Sequence, residues 1–314
     1  TDMSYMFDHC YLLPSLDLRN FDVSKVTDMS YMFRSNTGLV RIYSNTDWNQ
    51  NTPTSTDMFV SCNNLEGAIK FTSGYHNATH ANPTNGYFTY RYPVTLSFSD
   101  NSKTATVGTA FTESTLTIST TDPSNPELSV TYSSSNEVVA TVDATTGKVT
   151  PLSSGTINII ATYEGTIHYE PQSASYELTV NAKSFGSKTA LCGVGLTSDH
   201  IYVPGKLETD LGDNLISGSV ALTANEDYSV LTLTLTDAKL STTAANFIYN
   251  QWRMNIILVG DNEVSSTKSS AIYNHYGPMT VSGTGKLTIS GNYGIYNNGS
   301  FIQNGGTLNV TGRQ

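Results

Sequence analysis

Tyr273 and Tyr296 hold equivalent places in two similar segments, Ala271-Ile272-Tyr273-Asn274 and Gly294-Ile295-Tyr296-Asn297, at a step of 23 residues. In an extended chain, successive side chains point to opposite faces. With Ile272 and Ile295 turned inward, both tyrosines face outward, one above the other. Aromatic rings in register offer a platform for the faces of sugars, and Asn274, His275 and Asn298 stand beside them as hydrogen-bonding groups. The plainer reading is a structural ladder, or a cover for an adjoining loop, for which an amphipathic tyrosine is well suited.

Other candidate chemistry is thinner. His76 and His80 are four residues apart, a spacing that lets a helix share a metal, but no carboxylate or cysteine is near in sequence as a third ligand. The surrounding Tyr75-His76-Asn77-Ala78-Thr79-His80 reads as a turn-rich surface loop. Asp210-Leu211-Gly212-Asp213-Asn214 and Asp261-Asn262-Glu263 carry oxygen ligands that calcium could use. Neither follows a known calcium-loop spacing, so both read as Asx turns and no cofactor is expected. The only bases near them are Arg253, Lys268 and Lys286, without a cluster of carboxylates, so the chain is not expected to be an enzyme. Near the N-terminus Asp17, Arg19, Arg41 and Tyr43 would face outward from the strand side of a repeat, where solenoids often meet partners. A solvated face is the alternative for each.

The elements that must position these residues follow from composition and repeats. Of 314 residues only 13% are charged, 81 are Ser or Thr, and 19 are Tyr against 2 Trp. Such a chain reads as β-structure with many turns. A formal charge of −10 without a run of Lys or Arg excludes nucleic acid and anionic lipid as partners. No apolar stretch is long enough to span a membrane. The opening Thr1-Asp2-Met3-Ser4 lacks the regions of a secretory signal and reads as the middle of a repeat. Cys10, Cys62 and Cys192 make an odd number and no disulfide framework.

Thr1-Asp2-Met3-Ser4-Tyr5-Met6-Phe7 recurs identically at Thr27-Asp28-Met29-Ser30-Tyr31-Met32-Phe33, and a further step of 26 reaches Met58-Phe59. Leu13, Leu39 and Leu65 keep the step, as do Cys10, Asn36 and Cys62. Val26, Met29, Met32 and Phe33 have the spacing of one face of a short helix, with Asp22 or Ser24 to cap it. Leu13, Leu16 and Leu18 have the L-x-x-L-x-L spacing of a leucine-rich strand. The Cys/Asn position suits an inward side chain that bonds loop backbone. Cysteines two rungs apart stand about 10 Å from each other, too far for a disulfide. Val26 to Phe33, with Met58-Phe59-Val60-Ser61-Cys62-Asn63-Asn64-Leu65, resembles the BspA-type leucine-rich repeats of bacterial surface proteins. Asn82-Pro83-Thr84-Asn85-Gly86-Tyr87-Phe88-Thr89 looks like the ending of such arrays. The resemblance covers residues 1–90 and implies adhesion and host contact.

After a linker at Tyr92-Pro93, some seven short strands are expected over residues 94–180, the pattern of an Ig-like sandwich. Ile157, Ile159, Ala161 and Tyr163 mark one face of a longer strand. The segment Val130 to Asp143, followed by Gly147-Lys148-Val149-Thr150 and Gly155-Thr156-Ile157, looks like the bacterial Ig-like domain of the invasin and intimin class. That resemblance implies a stiff spacer.

A second linker is expected over residues 182–187. Beyond it Leu231, Leu233 and Leu235 alternate with threonines as a half-buried strand, and Ile256-Ile257-Leu258-Val259-Gly260-Asp261-Asn262 is a strand running into a tight turn. Steps of 23 residues (Ile272 to Ile295) and 21 (Leu287 to Leu308) suit coils of a right-handed parallel β-helix. The Gly-Asp-Asn turn and the paired Ile-Tyr-Asn rungs resemble β-helical carbohydrate-binding proteins of clostridia and gut Bacteroidetes.

The expected architecture is therefore mainly β: a leucine-rich repeat solenoid end with its cap (1–90), an Ig-like β-sandwich (91–182) and an incomplete right-handed parallel β-helix (183–314). The expected function is non-enzymatic attachment at a bacterial cell surface, with a host glycoprotein or other host surface protein, or a host or dietary glycan, as partner. Two further readings stand beside it: a carbohydrate-binding module working through the β-helix, and a stalk or filament segment that self-associates through its chain ends.

Overall fold

A computed structural model describes residues 1–185, 188–226, 228–268 and 270–312. The chain is mainly β, with stacked solenoid coils and an Ig-like segment. It divides into two compact units, one of residues 1–99, 116–131 and 161–174, the other of residues 100–115, 132–160 and 175–314.

In the first unit the 26-residue repeats stack as rungs, but the short helix expected in each is absent. Its place is taken by consecutive tight turns in which Tyr5, His9, Tyr31, Ser35, Asp57 and Ser61 adopt positive φ. The reason lies in where the amides go. In a helix every N–H is spent inside the segment. Here Met3, Tyr5 and Phe7 donate to the carbonyls of Asp28, Ser30 and Met32, and Met29, Tyr31 and Phe33 donate to those of Thr54, Thr56 and Met58. Rung-to-rung bonding thus replaces i−4 bonding, and the apolar spacing that suggests a helix serves an inward face of stacked turns. The expected cap residue Asp22 instead accepts from the Ser24 amide in an Asx turn.

The core of this stack is a column of rings. Phe7 lies 5.7 Å from Phe33, Phe33 lies 5.4 Å from Phe59, and both pairs are stacked. Tyr87 and Phe88 close the column edge-on against Phe59. Asn36 donates to the carbonyls of Phe7 and Phe33 at 2.8 and 2.9 Å, and the Cys62 thiol donates to Phe33 O at 2.8 Å. The Cys/Asn position therefore turns inward onto loop backbone as its side-chain size requires. The strands Ser15–Asp17, Arg41–Tyr43 and Phe88–Thr89 form a parallel sheet in which Leu16 pairs with Ile42 and Ile42 with Phe88. Tyr92, expected in a linker, is anchored: it bridges Tyr169 in parallel and donates to His168 O.

Among the described residues eight strands lie between Val94 and Asn181. Val94–Phe98 pairs antiparallel with Leu116–Thr120. Residues 102–106 pair in parallel with 177–181. In Gly155–Tyr163 the residues Ile157, Ile159, Ala161 and Tyr163 are buried, as their alternation requires.

The β-helix belongs to the second unit. One sheet runs through Thr189–Leu191, Ile248–Asn250, Ser270–Asn274 and Tyr293–Asn297. Another stacks Met254–Val259, Met279–Gly283 and Phe301–Gln303 beside Asp261–Ser266, Lys286–Gly291 and Thr307–Gly312. The strand Leu231–Thr242 begins both columns, pairing Leu231 with Met254 and Lys239 with Glu263. The following rung breaks at Gly260, whose φ is +66°, and a Cβ there would meet the Asp237 carboxylate at 1.9 Å. That carboxylate accepts from the Asp261 amide, so the corner demands glycine. Leu231, Leu233, Leu235, Ile256, Leu258, Val264, Val281, Leu287 and Ile289 fill the interior.

Two short helices, Asp199–Tyr202 and Lys206–Leu211, lie against the strand Leu215–Ala224 and bury Leu207 and Leu211. Of the linker expected over residues 182–187, residues 186–187 fall outside the described residues. Ser184 bridges Thr197 and Phe185 is buried, so this stretch is built into the core of its unit.

Candidate functional site

The β-helix sheet carries three copies of one tripeptide. Ile248-Tyr249-Asn250 pairs residue by residue with Ile272-Tyr273-Asn274, which pairs in turn with Ile295-Tyr296-Asn297. Ile248 and Ile272 are buried, and the tyrosines take the opposite face. Tyr249 and Tyr273 stack at 5.5 Å between centroids with planes 11° apart; Tyr273 and Tyr296 stack at 4.7 Å and 10°. Sequence reasoning found the second and third copies and missed the first. Its signal was there: the same three residues stand 24 before Ile272 instead of 23.

The asparagines do something else. Asn250 Nδ2 donates to Asn274 Oδ1 at 2.7 Å, and Asn274 Nδ2 donates to Asn297 Oδ1 at 2.7 Å. Thr189 Oγ1 extends the ladder by donating to Asn250 Oδ1. Asn274 is 0% exposed. It was expected beside a ligand, and the structure corrects this: an amide shut off from solvent must find its partners inside, and it does. Asn298, by contrast, is exposed, and its amide donates to Asn274 O.

Stacking also changes what the tyrosines can offer. Tyr249 covers one face of Tyr273 and Tyr296 the other, so Tyr273 cannot lay a ring face against a sugar. It presents its edge and its hydroxyl. Burial in the stack, with the neighbouring phenols of Tyr296, Tyr249 and Tyr276 adding to it, raises the Tyr273 pKa above its ordinary value. Beside this row runs a polar one. Gln251 Nε2 donates to Tyr249 Oη and lies 3.5 Å from His275 Nδ1. His275 stacks on Tyr273 at 5.6 Å and meets Tyr276 edge-on at 3.9 Å. Tyr276 is 67% exposed and Tyr296 47%. The result is a strip of phenol, amide and imidazole groups along the coil axis, repeating at about one strand spacing of 4.8 Å.

The N-terminal candidates stand in the other unit, and each is engaged by a partner within it. Arg19 donates to both oxygens of Asp17, at 2.9 and 2.6 Å, and pairs with Glu170. The Arg19 hydrogen bond holds the Asp17 carboxyl below its ordinary value, against the raising effect of burial. Arg41 donates to Glu66 O at 3.0 Å and lies 3.4 Å from its carboxylate. The Arg91 guanidinium covers the Tyr43 ring at 4.9 Å.

His76 stacks on Phe71 and its Nε2 accepts from the Gly74 amide; His80 stacks on Tyr87, and burial lowers its pKa. Asp57, distant in sequence, comes within 3.9 Å of His76, a proximity that spacing alone does not show. Asp210 is held between His200 Nε2 and Lys206 Nζ, each at 2.9 Å. Asn262 donates to the carbonyls of Val259 and Lys286 and accepts from the Ala238 amide. Both calcium candidates therefore serve backbone turns and ion pairs. Among the described residues no three His, Cys, Asp or Glu side chains stand together as a metal set, and no helix is long and apolar enough to cross a membrane.

Two segments match known families. Residues 1–87 match the family described as Mycoplasma protein of unknown function, DUF285, and residues 95–166 match the bacterial Ig-like domain (group 2). No curated protein matches the chain. Bacterial Ig-like domains usually occur in surface or extracellular proteins, and the two matches together suggest surface association.

Proposed function

We propose that this chain is a non-enzymatic attachment protein of the bacterial surface whose β-helix strip contacts a polysaccharide. The observation that carries the reading is the ladder Tyr249, Tyr273 and Tyr296, flanked by Gln251, His275 and Asn298. It presents donors and acceptors at regular intervals along one line, which suits a polymer of hydroxyl-rich units lying parallel to the coil axis. Ordered rings lose little entropy on binding, because their neighbours already hold them. The internally paired charges of Asp17, Arg19 and Arg41 favour the strip over the N-terminal face as the contact. The test is binding of the full chain to a panel of plant, mucin and bacterial glycans, with calcium and with a chelator. Saturable binding that Tyr296→Ala abolishes supports the strip; binding that the substitution leaves unchanged counts against it.

A further inference from the structure

A different part of the second unit carries a built pocket. A cavity of about 370 Å³ is lined by Lys183, Phe185, Lys188, Tyr228 and Trp252, with Ser184 and Ser229 at its margin. The Lys183 ammonium lies 4.7 Å from the Tyr228 ring centroid, and that of Lys188 lies 5.4 Å from the Trp252 ring. Neither lysine has a carboxylate partner among the described residues. Among the described residues this cavity thus brings together two ammoniums that no carboxylate pairs, against aromatic walls. Cation–π contact orients such a charge without cancelling it. An arrangement of two like charges is relieved by an anion between them.

The walls are fixed from behind. The Lys183 amide donates to Ser198 Oγ at 2.6 Å and its carbonyl accepts from the Ser198 amide at 2.9 Å. The carbonyl of Lys188 accepts from the Gln251 amide. The amide of Trp252 donates to Asn250 Oδ1, so the buried asparagine ladder also sets the indole. Tyr228 is held at a φ of +59°, uncommon for a bulky residue, with its hydroxyl bonded to Tyr202 and its ring stacked on Phe185.

We infer that this pocket binds a carboxylate carried on a compact ring, the ammoniums of Lys183 and Lys188 taking the charge and the aromatic walls taking the ring. A hydrated surface lysine pair would bind any small anion weakly and alike. A walled pocket distinguishes the ring-borne acid from both its neutral counterpart and a bare carboxylate. The inference does not depend on the tyrosine strip.

The test is calorimetric titration of the full chain with D-glucuronate, D-glucose and acetate at low ionic strength, with Trp252 emission as a second readout. Trp48 is buried in the other unit and adds a background that the ligand should leave unchanged. We expect glucuronate to bind at least tenfold more tightly than glucose or acetate, and added salt to weaken it. Replacing both lysines (Lys183→Met with Lys188→Met) should reduce glucuronate to the level of glucose, while Lys183→Arg with Lys188→Arg retains most of the preference. Equal binding of glucuronate and glucose would overturn the charge assignment. Acetate binding as tightly as glucuronate would overturn the ring assignment, and no response to any of the three would overturn both.

Discussion

Tyr273 and Tyr296 stack at 4.7 Å with planes 10° apart, so that one ring closes a face of the other. Removing the hydroxyl and removing the ring therefore have different consequences. Tyr273→Phe preserves the stack and should leave stability unchanged, while polysaccharide affinity falls roughly three- to tenfold, the worth of about one hydrogen bond. Tyr273→Ala breaks the ring contacts with Tyr249, His275 and Tyr296 and should cost about 1–4 kcal/mol of stability. Chemical unfolding and a binding isotherm on both variants check this. Equal destabilisation by Phe and Ala would contradict the ladder.

Asn274 bonds upward and downward at once. Asn274→Ala leaves Asn250 Nδ2 without its acceptor and Asn297 Oδ1 without its donor, so about 2–4 kcal/mol of stability should be lost. Amide hydrogen exchange should then rise across the Ile-Tyr-Asn rungs. Exchange unchanged there would show that the ladder contributes nothing.

The three cysteines are free, Cys62 and Cys192 buried and Cys10 partly exposed. Burial pushes the Cys62 thiol up to about 12 and that of Cys192 up to about 11. Since the thiolate is the reactive form, iodoacetamide at pH 8 should label Cys10 in the folded chain, and all three cysteines only in denaturant. Intact mass reads the count. Two or three labels under native conditions would mean the rungs open readily.

Asp8 gives a pH dependence with a definite sign. The Arg34 guanidinium, with His9 adding to it and burial opposing it, holds the Asp8 carboxyl below its ordinary value. Its stabilising contribution is therefore complete above the ordinary carboxylate pKa of about 4 and is lost as pH falls through the lowered folded value. Asp8→Asn should flatten the acid limb of the urea midpoint followed by Trp48 emission. Parallel limbs for the two proteins would show the pair to be inert.

What was legible in the sequence follows from how each signal is encoded. The step of 26 and the alternation of Leu231, Leu233 and Leu235 are periodic, and periodicity survives without coordinates. The stacked turns were misread as a helix because Val26, Met29, Met32 and Phe33 have the same spacing in both. Only the destination of the amides separates the two, and that destination lies 25 residues away. The sequence sets Asn274 beside the tyrosines as a hydrogen-bonding group, although the alternation that turns Tyr273 outward turns Asn274 inward with Ile272. Its burial depends on Asn250 and Asn297 lying in register, a fact about three rungs together. The pocket of Lys183, Tyr228 and Trp252 joins residues up to 69 apart and leaves no local motif.

The central claim is that the outward strip meets polysaccharide, and hydroxyl-radical footprinting addresses it most directly. The full chain would be compared alone and with whichever glycan of the panel it retains most strongly. The account predicts protection at His275, Tyr276 and Tyr296 together, with residues 1–90 unchanged. Protection confined to residues 1–90, or no glycan retained at all, would contradict it.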